Sequence, residues 1–237
     1  MSKTFRIIAS IAPHNIRLCG AQGDFFSLTK MIHPKTEIAF ISPEVGYGVV
    51  ATEFIPKGTI TWALDRLDRE FTREEIQHMD PLYQQIIETY TFRNSQGNFV
   101  LCWDHGRYVN HSFNSNCLTT AYDFEIAIRD IQPGEQLTDD YGYLNISTPF
   151  RGIDEGTRRK IVYPDDLLRY HGVWDSKLAE VFPRIPNVPQ LLRSLISEEI
   201  WEKVCKIARR EAEMDSVLSC YFPDPALQLV SSNGKGH

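Results

Sequence analysis

The sequence predicts an α+β protein, mainly β, with a helical C-terminal region. Three observations carry that expectation. Short alternating runs recur between turn signals from Glu37 to Ile128. A capped helical stretch opens at Thr72, inside the strand-rich part. Beyond Pro164 the pattern changes, and a helix with one apolar side follows Ser197.

The elements follow in order. Residues 1–36 read as short strands and turns. Lys3, Arg6 and the apolar run from Ile7 to Ala12 resemble the start of a signal peptide. The run is short and ends at Pro13-His14, so it is read as a first strand. Glu37 to Ile41 and Val49 to Ala51 are strands, and Ile55-Pro56-Lys57-Gly58-Thr59 is a turn before a strand from Thr59 to Ala63. Thr72 with Glu75 forms a capping box, and that helix stops near Asp80-Pro81. A second short helix covers Leu82 to Ile87. Thr89 to Phe92 and Asn98 to Trp103 form strands around a turn at Asn94 to Gly97. Ala121 to Ile128 alternates and ends in the turn Ile131 to Glu135. Pro164 to Leu168 begins a short helix, and Phe182 to Pro189, with three prolines, reads as a linker or a packed irregular arm. The Ser197 helix presents Ile200, Trp201, Val204, Cys205 and Ala208 on one side and Lys203, Lys206, Arg209 and Arg210 on the other, a solvated face. Ser231 to His237 reads as disordered.

Composition narrows the function. The 237 residues, 42% hydrophobic and 24% charged, describe an ordinary globular protein. No apolar run is long enough to cross a bilayer, so no membrane partner is expected. A net charge of −6 argues against duplex nucleic acid, and no sequence-specific nucleic-acid binding is expected. Five cysteines with no CxxC spacing fit a reduced intracellular protein, cytoplasmic or nuclear. Cys117 lies beside the candidate site, yet an isolated cysteine is more often a small hydrophobe than a nucleophile.

Three stretches carry chemistry. Gly46-Tyr47-Gly48 lets a backbone approach a ligand closely, although alone it is a tight turn. Arg107-Tyr108-Val109-Asn110-His111-Ser112, with its tail to Asn116, offers an amide that donates and accepts; a turn Asn and a core His are the plainer reading. Gly134-Glu135-Gln136-Leu137-Thr138-Asp139-Asp140-Tyr141-Gly142-Tyr143 ends in two phenols that a strand would place on one face. Arg107, Asp139 and Asp140 are expected as supports that fix the two segments.

In order and spacing these stretches resemble the signature of the SET domain, the family of protein-lysine methyltransferases that use S-adenosylmethionine. The likeness runs from Glu37 to Tyr143. It implies several small β-sheets around a pseudoknot that brings Asn110 to Tyr141. It also divides the chain into an N-terminal extension over 1–36, a SET domain over 37–145, and a mostly helical region over 146–237 that covers the core. By this resemblance Tyr141 and Tyr143 are catalytic, and Gly46, Tyr47, Gly48, Tyr90, Asn110 and His111 bind S-adenosylmethionine. The implied partner is a lysine in a protein or peptide, histone tails being one class.

Departures also count. Phe113 and Ser115 stand where the family often has Cys and Pro, and the zinc-binding cysteines before and after the domain are missing, so no metal is expected. Phe150, Trp174 or the Trp201 helix is then expected to close the lysine channel. A non-catalytic SET-like module that binds a peptide or partner is the alternative. A methyltransferase for another acceptor is a third reading.

Overall fold

The computed structural model describes residues 32–225. The expected strand at Ile7 to Ala12 and the expected disorder of Ser231 to His237 lie outside them. Among the described residues the strands form five small sheets with helices around them, the expected α+β class.

Strands β1 (Thr36–Ser42) and β2 (Gly46–Ala51) make an antiparallel hairpin with Ile38 opposite Val49. Strands β3 (Ile60–Ala63), β8 (Cys117–Thr119) and β9 (Phe124–Ala127) form a sheet in the order β3-β9-β8. Strands β4 (Arg69–Phe71), β5 (Thr91–Arg93) and β6 (Phe99–Leu101) form another, in the order β4-β6-β5. The sequence did not mark β4 or β8. Each is three residues long, too short to display a period of two, and β4 is two-thirds charged.

Helix α1 (Arg73–Gln77) carries the expected reciprocal cap between Thr72 and Glu75. Helix α2 (Pro81–Tyr90) begins at Asp80, whose side chain accepts from the Leu82 N–H, and runs past Ile87 to take Thr89 and Tyr90 from the expected strand. Thr89 bonds the Gln85 carbonyl at 2.8 Å inside the helix, and Thr91, the extended residue that closes it, bonds the Ile87 carbonyl at 2.7 Å.

Helix α3 (Asp166–Val181) is longer than expected. Leu167, Trp174, Leu178 and Val181 are buried along one side, each contributing about 1.5–3 kcal/mol of transfer free energy before entropy is counted. That burial overrides the weak helix propensity of Gly172. Phe182–Asn187 is a 3-10 turn with Phe182 and Ile185 buried, the packed arm rather than the linker. Helix α4 (Glu198–Ala208) starts at Ser197 and buries Val204 and Ile207. No described helix is long and apolar enough to cross a membrane.

Two apolar clusters flank the β3-β9-β8 sheet. One joins Leu118, Phe124 and Ile126 to α3 and α4. The other gathers Val49, Ile55, Trp62, Val109 and Leu137. Between Phe124 and Ile126, Glu125 points the other way by strand alternation and stands opposite Thr119 and Trp62.

Candidate active site

Two short strands make the centre. β7 (Asn110–His111) runs parallel to β10 (Thr138–Asp139), with Asn110 opposite Thr138 and His111 opposite Asp139. The Ser112 N–H donates to the Asp139 carbonyl at 2.8 Å. The Asn116 side chain accepts from the Thr138 N–H at 2.9 Å and donates to the Gln136 carbonyl at 2.8 Å. Segments far apart in sequence are thus locked by amides, which need no charge to do so.

The glycine turn docks on this crossing. Asn110 Nδ2 donates to the Tyr47 carbonyl at 3.0 Å and to Gln136 Oε1 at 2.6 Å. A Cβ on Gly48 would lie 2.2 Å from Gln136 Oε1 and 2.7 Å from Asn110 Nδ2, so a side chain here would displace both amides. Gly46 has φ +81°, where glycine is favoured, and open space around its α-carbon. The Tyr47 ring is 59% exposed and meets Phe40 edge-on at 5.8 Å.

Tyr141 is the link to the other half. Its hydroxyl donates to the Val109 carbonyl at 2.6 Å, and its N–H donates to His111 Nδ1 at 3.2 Å. That bond puts the His111 ring proton on Nε2, which is buried without a partner. Burial holds the imidazole below its usual pKa, so it is neutral at neutral pH. Phe113 and Phe150 pack edge-on against it at 4.4 and 5.3 Å. A strand was expected through Tyr143, but Tyr141–Tyr143 forms a 3-10 turn. The Asp140 carboxylate accepts from the Gly142 N–H at 3.0 Å and bends the chain there. The two phenols therefore do not share a strand face. Tyr143 is 2% exposed and packs against Trp174, ring centroids 5.4 Å apart.

A cavity of about 640 Å³ opens on the Tyr141 side. Tyr90, Val109, Tyr141 and Tyr143 belong to its wall, whereas Gly46, Tyr47, Gly48, Asn110 and His111 do not. The expected site residues thus fall into two groups that meet at Tyr141. Tyr90 stands with the cavity, its ring 5.6 Å from that of Tyr108, and not with the Asn110 group. Of the expected covers, Phe150 reaches the wall, together with Leu144 to Thr148. Trp174 is core, and Trp201 packs beneath the Arg193 guanidinium.

The family model of the SET domain matches residues 46–142. The chain carries a SET domain. The match begins at the glycine turn and ends one residue after Tyr141, so it contains both sides of the crossing. Comparison with curated proteins returned no significant match. The match suggests a methyltransferase-like or SET-fold module.

Around the crossing the acidic residues divide. Asp140 and Asp166 flank Arg159, which bonds Asp166 Oδ2 at 2.6 Å and also pairs with Asp140. The guanidinium lies over the Tyr170 ring at 4.5 Å and the Phe113 ring at 4.9 Å. Asp140 is therefore the expected support, although it ties the crossing to α3 and not to Arg107. Arg107 instead donates to the Cys102 carbonyl at 3.3 Å. Asp139 is different. Its side chain enters the cavity wall beside Glu125, and the two carboxyls are in contact. Burial, then Asp139, pushes Glu125 well above the usual carboxylate range, and burial raises Asp139 as well. The pair thus holds a proton more tightly than separate carboxyls would.

Sequence reasoning missed Glu125 altogether and took Asp139 for a support. In the SET domain's primary structure Glu125 looks like the solvent-facing position of an alternating strand. The only signal was the rarity of an acid between two buried aromatic and aliphatic neighbours. Cys117 is fully buried, its thiol pushed far up by burial and by Asp139, and packs as a small hydrophobe.

Proposed function

We propose that this SET domain transfers a methyl group from S-adenosylmethionine to the ε-amine of a lysine in a protein or peptide, histone tails being one candidate class. The observation that carries the reading is the Tyr141 hydroxyl, held on the Val109 carbonyl where the glycine turn and Asn110 meet the cavity. Methyl transfer to an amine is an in-line displacement, and positioning alone can supply much of the rate. The residues fit a cationic donor with an amino-acid and a nucleoside part. Gly46 leaves room for close backbone approach, Gly48 lets Gln136 and Asn110 close on the turn, His111 Nε2 is an unused buried donor, and acids and rings nearby favour positive charge. When bound, S-adenosylmethionine supplies an electrophilic methyl on a positive sulfur.

The chain's own groups supply the rest. Asn110 and Gly48 shape the donor side. Tyr141, its phenol kept neutral by burial and by the carboxylates beyond it, points a fixed oxygen at the junction and orients the amine. Tyr90, Phe92 and Phe150 give the cavity aromatic walls that pass an alkyl chain and tolerate its cation. Tyr143 buttresses the turn against Trp174 and keeps its hydroxyl in the wall.

Radiolabelled transfer to a histone mixture and a cell lysate, with product mass, tests the reading. Tyr141→Phe removes the bond to Val109 and is expected to lower transfer by about 10²–10⁴-fold while S-adenosylmethionine still binds in calorimetry. Unchanged transfer in that variant would refute the assignment. A folded protein that binds no S-adenosylmethionine would identify a peptide-binding module instead.

A further inference from the structure

Two acids in contact without a counter-ion are costly when one of them is buried, and the cavity contains such a pair, buried Asp139 and half-buried Glu125. Asp139 is 4% exposed, and its Oδ1 receives no hydrogen bond from any amide, hydroxyl or basic group among the described residues. The Glu125 carboxyl touches it from β9 and also meets the Thr119 hydroxyl. The Tyr143 hydroxyl, equally buried, faces the pair without completing a well-formed hydrogen bond. The two basic residues of the cavity wall are engaged elsewhere. Arg93 pairs with Asp224 at 2.8 Å, and Arg107 holds the Cys102 carbonyl. One residue along the chain, Asp140 has its arginine. Burial of a carboxylate with neither cation nor full hydrogen bonding costs several kcal/mol, so the pair is relieved either by a proton it holds or by something positive that enters the cavity.

The chemistry of that cation can be read from the walls. It must carry hydrogen-bond donors for Asp139 Oδ1 and the Glu125 carboxyl, and an apolar stem for Trp62, Phe92 and Phe150. A primary alkylammonium has both. We propose that the Glu125–Asp139 pair receives the ammonium of the acceptor lysine and takes one proton from it. The proposal rests on the cavity being the acceptor site of a lysine methyltransferase. In the step, one N–H bond breaks and one carboxyl O–H bond forms. The electron pair stays on nitrogen, where methyl transfer needs it. The ammonium becomes a neutral amine, the carboxylate a carboxylic acid, and the total charge is unchanged.

The surrounding groups leave this role to the pair. Tyr141, Tyr143, Cys102 and Cys117 are all kept protonated by burial, and Asp140 is neutralised by Arg159. Asp123, Glu70 and Glu88 are the other acids of the wall; beside Tyr141 and Tyr143, the two carboxyls are the groups left to exchange a proton with the amine. Their raised affinity for it makes them better bases than free carboxylates.

The test needs neither donor nor transfer. The intact protein is titrated with n-butylamine, protonated at pH ~7, and with the neutral n-pentanol, and binding is followed by NMR. The wild type should bind butylammonium at least about tenfold more tightly than pentanol. Asp139→Asn and Glu125→Gln should each erode that preference, and the double variant should abolish it. Calorimetry in buffers of different ionisation enthalpy should show fewer protons exchanged on amine binding in the variants. A wild type that binds both probes equally, or variants that keep the full preference, would overturn the proposal. The two readings fail separately. Ammonium preference without methyl transfer retains the receptor and discards the enzyme. Transfer with an unchanged pH profile in Asp139→Asn retains the enzyme and discards the base.

Discussion

Asp139 and Asp140 are neighbours with opposite fates. Successive side chains of an extended segment leave on opposite sides. Asp140 turns to Arg159 and Asp166, caps the Gly142 N–H and anchors the crossing to α3. Asp139 turns into the cavity, where the charged groups that act on it, Glu125 and Asp140, are both acids. The same functional group is cement on one side of the strand and an unsatisfied receptor on the other. What separates them is the cation each one finds, and that cation comes from elsewhere in the chain.

The largest way to break the comparison is Arg159→Met. It strands Asp140 and Asp166, 4% and 1% exposed, as buried charges, and should cost about 3–5 kcal/mol of unfolding free energy in denaturant titration. Asp139→Asn should cost nothing or stabilise by about 1 kcal/mol, because it removes a buried acid whose ionised form meets no cation among the described residues. A large loss there would show that the folded protein already pairs Asp139.

The pH dependence sharpens the contrast. A carboxyl whose folded pKa lies above its unfolded value favours folding at low pH, and the benefit disappears as pH rises through the folded pKa. Glu125 and Asp139 are both raised. Relative to a Glu125→Gln/Asp139→Asn protein, the wild type should therefore lose stability as pH climbs above the ordinary carboxylate range, measured by thermal unfolding across a pH series. Gly48→Ala gives the smallest effect on folding. The new methyl displaces the flexible ends of Gln136 and Asn110, and the reading expects about tenfold weaker S-adenosylmethionine binding in calorimetry, with butylammonium binding unchanged. Loss of both would mean that the crossing, and not either acid, sets the cavity.

Much of this was written in the primary structure. The capping box at Thr72, the Ser197 cap and the Pro-Gly turns are local signals, and the matching elements formed. The motifs around Asn110 and Tyr141 marked a crossing because each carries its own backbone chemistry, and β7 pairs with β10. Local rules failed where packing outweighed propensity, as in the length of α3, or where a side chain diverted the backbone, as Asp140 did before Tyr141.

Taken alone, then, the order of residues determined the class of fold, the turns and caps, and which strips of chain carry donors, glycines and phenols, since those depend on contacts a few residues long. Tertiary structure alone decided which acid met a base, that Tyr90 joined the cavity wall, and that Glu125 faced Asp139. Those outcomes hang on groups from separate strands arriving at one point, and the free energy of a buried charge depends on everything within a few ångströms of it.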